Sequence, residues 1–456
     1  MMKVAVIGCT HAGTAAINNI LNLYPEAQID VFEKNDNVSF LSCGIALYVG
    51  GVVNDPNGLF YASVEQFEKQ GVRMHMNHEV TSCDISNKQL HARDIGTDET
   101  KSYDYDKLII TSGSWPVTPP IPGSDLENVL LCKNFAHANE IIKRSESVEN
   151  VVVVGAGYIG VELVEAFEQN GKNVTLIDSE ERILNRYLDD TFTEPVEKSF
   201  AKRGIELALG QTVSKFEGTN TVNKVITDKG EYEADLVVMC IGFKPNTALF
   251  KGQIDMLGNG AIIVDEYMQT SVNDVYAAGD CCAVNYNATN QPAYIPLATN
   301  AVRMGTLVAH NLVKPVLAHP GTQGTSGLKI YNHNIASTGL TESAATLAGL
   351  SVDSAYIKDY YRPEFMPENA LIQLKLVYEM DTHRVVGAQV ISDADFTQAI
   401  NTVSVAIAND MTIEQLALTD FFFQPHYNKP VNYLNQVALE AMAKETNKIN
   451  KETVSA

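Results

Sequence analysis

The sequence predicts an α/β fold made of two doubly wound parallel-sheet units, one inserted in the other, with an α+β unit at the C-terminal end. Three observations predict it. A strand, a glycine turn, a helix and a second strand ending in an acid occur twice in that order, over Lys3–Glu33 and Val151–Asp178. After each, an apolar strand runs into a turn, at Tyr105–Ser114 and Asp235–Thr247, and a third such strand, Thr270–Asp280, closes the pattern. Beyond about residue 325 the glycine turns stop, and apolar runs of strand length alternate with short helical ones.

Composition bounds what the chain does. At 456 residues it is too long for one core and predicts several domains. The 45% hydrophobic content fits a globular enzyme. The formal net charge of -22 argues against nonspecific nucleic-acid binding and against anchoring on an anionic membrane. It leaves phosphate binding open, since backbone amides and helix ends bind phosphates locally. Met1–Gly8 reads as a strand and turn rather than a signal peptide, and no run reaches the roughly 20 apolar residues a membrane span needs. The seven cysteines are scattered, with no Cys-x-x-Cys pair and no metal-ligand spacing. That pattern predicts a cytoplasmic chain with neither a metal site nor a disulfide framework.

The elements follow in order. Lys3–Ile7 reads as a buried parallel strand, with a helix from the Gly8–Gly13 turn through Leu23 and a second strand, Gln28–Phe32, ending at Glu33. The spacing from Gly13 to Glu33 is that between a phosphate-binding turn and an acid that accepts from ribose hydroxyls. Gly8 makes the tight turn, and Gly13 lets helix and strand pack closely. Thr10 stands where the second glycine usually is, so the pattern is imperfect. His11 on this turn projects towards whatever lies over the pyrophosphate end.

The second motif is complete. Val151–Val154 enters Gly155-Ala156-Gly157-Tyr158-Ile159-Gly160, a helix follows, and Asn173–Ile177 ends in Asp178, eighteen residues after Gly160. Strand, helix and acid together make this a strong dinucleotide signal. Asp178 repels a 2′-phosphate, and Ser179 rather than a basic residue follows it, which favours NADH over NADPH. Arg182 nearby pulls the other way. Two such folds imply two dinucleotides, one a flavin and one a nicotinamide. Asp280, after the third strand, is placed to accept from the hydroxyls of a ribityl chain.

Between the two motifs lies Ser39-Phe40-Leu41-Ser42-Cys43-Gly44-Ile45-Ala46-Leu47-Tyr48. A thiol here sits close behind the first turn. Gly44–Val49 reads as the start of a helix, whose N-terminus would stabilise a thiolate. The bland alternative is a small core residue. Cys281-Cys282, Cys9, Cys83, Cys132 and Cys240 show no reactive context.

On these residues the chain resembles the flavoprotein disulfide reductases over nearly its whole length. The resemblance implies that Gly8, Gly13, Glu33 and Asp280 bind FAD and that Gly155, Gly157, Gly160 and Asp178 bind NADH. The candidate cofactor-binding set also takes in Thr10, His11, Ala12, Lys34, Cys43, Ser112, Gly113, Tyr158, Ile159, Gly242 and Ala298. Tyr158 is expected to cover the nicotinamide pocket and to move aside for NADH. Glu162 on the same helix is a weaker candidate. Disulfide reductases carry Cys-x-x-x-x-Cys beside the flavin, but here Tyr48 stands five positions after Cys43.

A single cysteine in a Ser-Phe-x-x-Cys-Gly setting, with His11 on the first turn, is similar to the branch of NADH oxidases and NADH peroxidases. Coenzyme A disulfide reductases share the setting. Gly8-Cys9-Thr10-His11-Ala12-Gly13-Thr14 and Ala298-Thr299-Asn300-Ala301-Val302 resemble the water-forming oxidases. The implied catalytic pair is Cys43 and His11. Oxygen is reduced with electrons from NADH through FAD, Cys43 cycles between thiolate and sulfenic acid, and His11 holds the thiolate or protonates the departing hydroxide. NADH peroxidase, coenzyme A disulfide reductase and, remotely, a non-enzymatic redox sensor are the alternatives.

The expected divisions are an FAD-binding part at 1–118, an NAD-binding domain at 119–246, a second FAD-binding part at 247–325 and a C-terminal domain at 326–456. Gly327–Tyr331, Leu371–Tyr378 and Arg384–Ile391 read as strands, and Thr341–Gly349, Ala394–Asn409 and Thr412–Ala417 as helices. By resemblance this last domain forms a homodimer or homotetramer interface. Phe421-Phe422-Phe423 then reaches the partner's site near Cys43, the alternative being an internal core strand.

Overall fold

The computed structural model describes residues 1–455. Its first sheet has five parallel strands in the order Val275–Ala277, Lys107–Ile110, Lys3–Ile7, Gln28–Glu33 and Arg73–Met76. The second, also parallel, runs Glu206–Ala208, Asn173–Ile177, Asn150–Val154, Leu236–Met239 and Val129–Leu131. All strands of the second sheet fall between Lys107–Ile110 and Val275–Ala277 of the first, so one Rossmann-like unit is inserted in the other. The Val-rich run Val151–Val154 is at most 5% exposed. Such runs form central strands because helices cover both faces of a parallel sheet.

The third sheet is antiparallel, in the order Ser326–Ile330, His333–Gly339, Val385–Ser392, Leu371–Glu379 and Val352–Tyr360. Helices Ala399–Ala408 and Tyr433–Ser455 pack on it and complete the α+β unit. The helix expected from Ala394 begins later. Asp395 Oδ1 accepts from the Thr397 backbone N–H at 3.0 Å and from its hydroxyl at 2.6 Å, which holds a turn ahead of the helix. Phe421–Phe423 is not a core strand, since Phe422 is 70% and Phe423 47% exposed. Among the described residues no helix is long and apolar enough to cross a membrane.

In both parallel sheets the glycine turn leaves the C-terminal end of a central strand, where strand order reverses and ligands bind in open α/β sheets. The turns bring the two dinucleotide motifs to a common space.

Candidate active site

One cavity of about 1630 Å³ is lined by both glycine turns, by Cys43 and by residues of the antiparallel sheet. Every candidate cofactor-binding residue named above lines it except Gly13 and Gly160. Those two sit behind their turns. A Cβ on Gly160 would lie 1.8 Å from the Gly155 carbonyl oxygen, and one on Gly13 would lie 2.2 Å from that of Gly8. Hence only glycine lets each helix pack this closely on its strand. Beside Gly157 a Cβ would meet nothing within 4 Å, so the helix N-terminus stands open to the cavity.

Each acid at the end of a second strand binds its own turn. Glu33 Oε2 accepts from the Cys9 N–H at 2.7 Å, and Oε1 from the Asn35 N–H at 2.9 Å. Asp178 Oδ2 accepts from the Ala156 N–H at 2.5 Å, and Oδ1 from the Glu180 N–H at 2.8 Å. Arg182 donates to the Leu188 carbonyl and the Thr193 hydroxyl and does not line the cavity, so it offers a 2′-phosphate nothing there. Asp280 Oδ2 accepts from Ser114 Oγ at 2.9 Å and pairs with Lys133 Nζ at 3.3 Å. Lys34 pairs with Glu79 at 2.7 Å, and both line the cavity.

Cys43 lies in a single turn, Ser42–Gly44, that leads into the short helix Ile45–Val49. The expected depression of its thiol does not occur. Cys43 is exposed to the open cavity, but partial loss of hydration among the surrounding atoms, then the carboxylates of Glu162 and Asp280, push its thiol up, and Lys133 opposes them. Lost hydration and two carboxylates from distant segments outweigh one short helix end. His11 lines the same cavity, but no hydrogen bond joins it to Cys43 among the described residues. Its Nδ1 lies 2.9 Å from the Tyr61 hydroxyl, and its Nε2 is buried without a partner among those residues. Burial holds His11 below the ordinary imidazole value, so the ring is neutral at pH 7. Tyr158 shares a 2.7 Å hydrogen bond with Ser326 Oγ, and its ring lies 4.2 Å from that of Tyr187. Glu162 lines the cavity with its carboxyl raised to about 7 by burial and by Glu165.

The family model described as pyridine nucleotide-disulphide oxidoreductase matches residues 2–305, and its dimerisation-domain model matches 325–433. The chain belongs to this family. An NADH oxidase of Enterococcus faecalis is 54% identical over 446 residues, covering 97% of this chain and all of that one. One of Streptococcus pneumoniae is 43% identical over 459 residues, with 97% and 100% covered. The solved water-forming NADH oxidase of Lactobacillus brevis, bound to NADH, superposes with a TM-score of 0.97 at 50% identity, over 98% of this chain and 100% of that one.

The residues present fit the two dinucleotides this family uses, FAD and NADH. The amide end at Gly157 is open, and the Tyr294 hydroxyl on the cavity wall is buried without a partner among the described residues, so each can be satisfied by a bound dinucleotide. Glu33 and Asp178 line the same cavity at the strand ends where ribose hydroxyls would lie. Sequence reasoning missed Lys133, Tyr61, Tyr187 and Tyr294. None belongs to a motif, and pairing of Val129–Leu131 at the edge of the second sheet is what carries Lys133 to Asp280.

Proposed function

We propose that the chain is an FAD-dependent NADH oxidase that reduces O2 to water through Cys43. The observation that carries the reading is Cys43 on the wall of a cavity built for two dinucleotides, with Tyr48 where its disulfide partner would stand. The names of the oxidase relatives support the same reading.

Glu33, Asp280 and the first glycine turn would hold FAD, which would supply acceptance of a hydride from NADH and transfer of two electrons to oxygen. The protein's own part begins with the hydrogen peroxide so formed. The Cys43 thiolate attacks one of its oxygens, an S–O bond forms and the O–O bond breaks. With one proton, the products are Cys43 sulfenic acid and water. A second NADH supplies two electrons and a hydrogen, returning the sulfur to thiolate with release of another water and NAD⁺. In total, two NADH, one O2 and two protons give two NAD⁺ and two waters. His11 faces this chemistry as a neutral hydrogen-bond donor. Lys133 favours the thiolate against Glu162 and Asp280. Asp178 takes the unphosphorylated ribose of NADH, and Glu33 and Asp280 take the hydroxyls of FAD. Tyr158 leaves Ser326 when the nicotinamide enters.

We place the divisions of the chain at 118, 246 and 325, and the enzyme in the cytoplasm. A second copy covers the exposed Phe422, Phe423 and Tyr427, which would otherwise face water as an aromatic patch.

The test is NADH consumed per O2 by the purified protein, with catalase in a parallel run. The expected ratio is about two, with no oxygen returned. The Cys43→Ser enzyme is expected to fall to about one, with half the oxygen returned by catalase, because peroxide then has no thiolate to meet. Water as the product of that variant would remove Cys43 from the path.

A further inference from the structure

His11 meets the cavity with one ring nitrogen engaged and the other not. Nδ1 is 2.9 Å from the Tyr61 hydroxyl, and the two rings lie parallel within 4° with centroids 5.8 Å apart. Nε2 is buried and has no partner among the described residues. Tyr61 is itself fixed by the loop that carries Cys43. Ser39 is fully buried at φ 60°, a left-handed conformation that residues with a Cβ rarely hold. Its Oγ accepts from the Tyr61 N–H at 3.1 Å and the Ala62 N–H at 2.8 Å. Phe40 pairs with Phe60 as an antiparallel bridge. One segment therefore sets both Cys43 and the partner of His11.

We propose that Tyr61 is the positioning residue for His11: its hydroxyl donates to Nδ1, so the neutral ring carries its one N–H on Nε2. The proposal rests on the oxidase reading, in which His11 serves Cys43. A neutral imidazole has a single N–H, and the hydrogen bond made by one nitrogen decides which carries it. With the N–H on Nε2 the ring donates to a thiolate or a departing hydroxide. The other tautomer presents a lone pair and repels both. Burial keeps the Tyr61 hydroxyl protonated, raised to about 12, so it remains a donor over the working pH range. The charged and titratable groups that face His11 are Asp280, Lys133 and Tyr61, and Tyr61 also faces Cys9 and Thr14.

The test is Tyr61→Phe in the FAD-loaded enzyme, which keeps the ring stack. Two quantities are read: the pH dependence of Cys43 alkylation by iodoacetamide, quantified by peptide mass spectrometry, and the hydrogen peroxide released per NADH. The alkylation midpoint is expected to rise by about one pH unit, about a tenfold loss of thiolate at fixed pH. Peroxide release is expected to rise with it. In a His11→Ala background, Tyr61→Phe is expected to add nothing, because it acts through the ring. A Tyr61→Phe enzyme that moves neither quantity while His11→Ala moves both overturns the proposal alone. Equal effects of Tyr61→Phe with and without His11 also overturn it. A His11→Ala enzyme unchanged in both overturns the role of His11 in the oxidase reading, and the proposal with it.

Discussion

Glu162→Gln tests the electrostatics of the cavity directly. Glu162 sits on the helix Tyr158–Gln169, half-buried, and burial with Glu165 beyond it lifts its carboxyl from 4.5 to about 7. A carboxyl raised on folding keeps its proton in the native chain at pH values where the unfolded chain has lost it. Its contribution is therefore neutral below about pH 4.5, and stability falls as pH rises from there to about 7, then levels off. The rise of roughly 2.5 units, at about 1.4 kcal/mol per unit, amounts to about 3 kcal/mol of stability lost once Glu162 is charged. Glutamine cannot ionise and escapes this loss. At about 2–4 °C per kcal/mol for a domain of this size, the variant should melt about 6 °C or more above the parent at pH 8 and at nearly the same temperature at pH 5. The assay is thermal denaturation of the FAD-loaded enzyme at several pH values, read as differences in Tm. The same substitution removes one of the two carboxylates that raise the Cys43 thiol, so Cys43 should alkylate at lower pH. A Tm difference that is the same at pH 5 and pH 8 would overturn this account, because a merely structural effect of the substitution does not titrate.

Two further substitutions probe the nicotinamide side. Asp178→Ala removes the acceptor of the Ala156 and Glu180 amides and the charge facing a 2′-phosphate. Losing a charged hydrogen bond of about 1.5–3 kcal/mol should raise KM for NADH about tenfold or more, while the preference for NADH over NADPH narrows. Steady-state kinetics with both nucleotides check this, and an unchanged ratio would exclude Asp178 as the discriminating acid. Gly160→Ala places a methyl 1.8 Å from the Gly155 carbonyl oxygen, so the turn must open. Overpacking of about 1–3 kcal/mol should weaken NADH binding while FAD content, read from absorbance, stays at the parent level.

The difference between what the sequence disclosed and what it hid follows from range. The glycine turns were legible because each of their residues answers a local backbone demand. Gly155 sits at φ 110°, Gly160 has no room for a Cβ, and the acid returns after one helix and one strand. The strands Lys3–Ile7 and Asn150–Val154 were legible because their apolar runs need no partner to be recognised. The place of Cys43 was legible for the same reason, but its chemistry was not. The segment alone shows a thiol before a helix and predicts a stabilised thiolate. The fold leaves that thiol exposed to the cavity but crowds it enough to cost it hydration, and adds Glu162 from the other dinucleotide unit and Asp280 from the end of the last parallel strand, and these reverse the sign. Lys133, carried in beside an edge strand, works the other way, together with the backbone of Cys43 itself. A thiolate in such surroundings must be stabilised after folding, by groups that converge on it rather than by its own segment. In the reading proposed above that task falls to His11, Tyr61 and Lys133, and each of the three finds its partner in a distant segment of the chain.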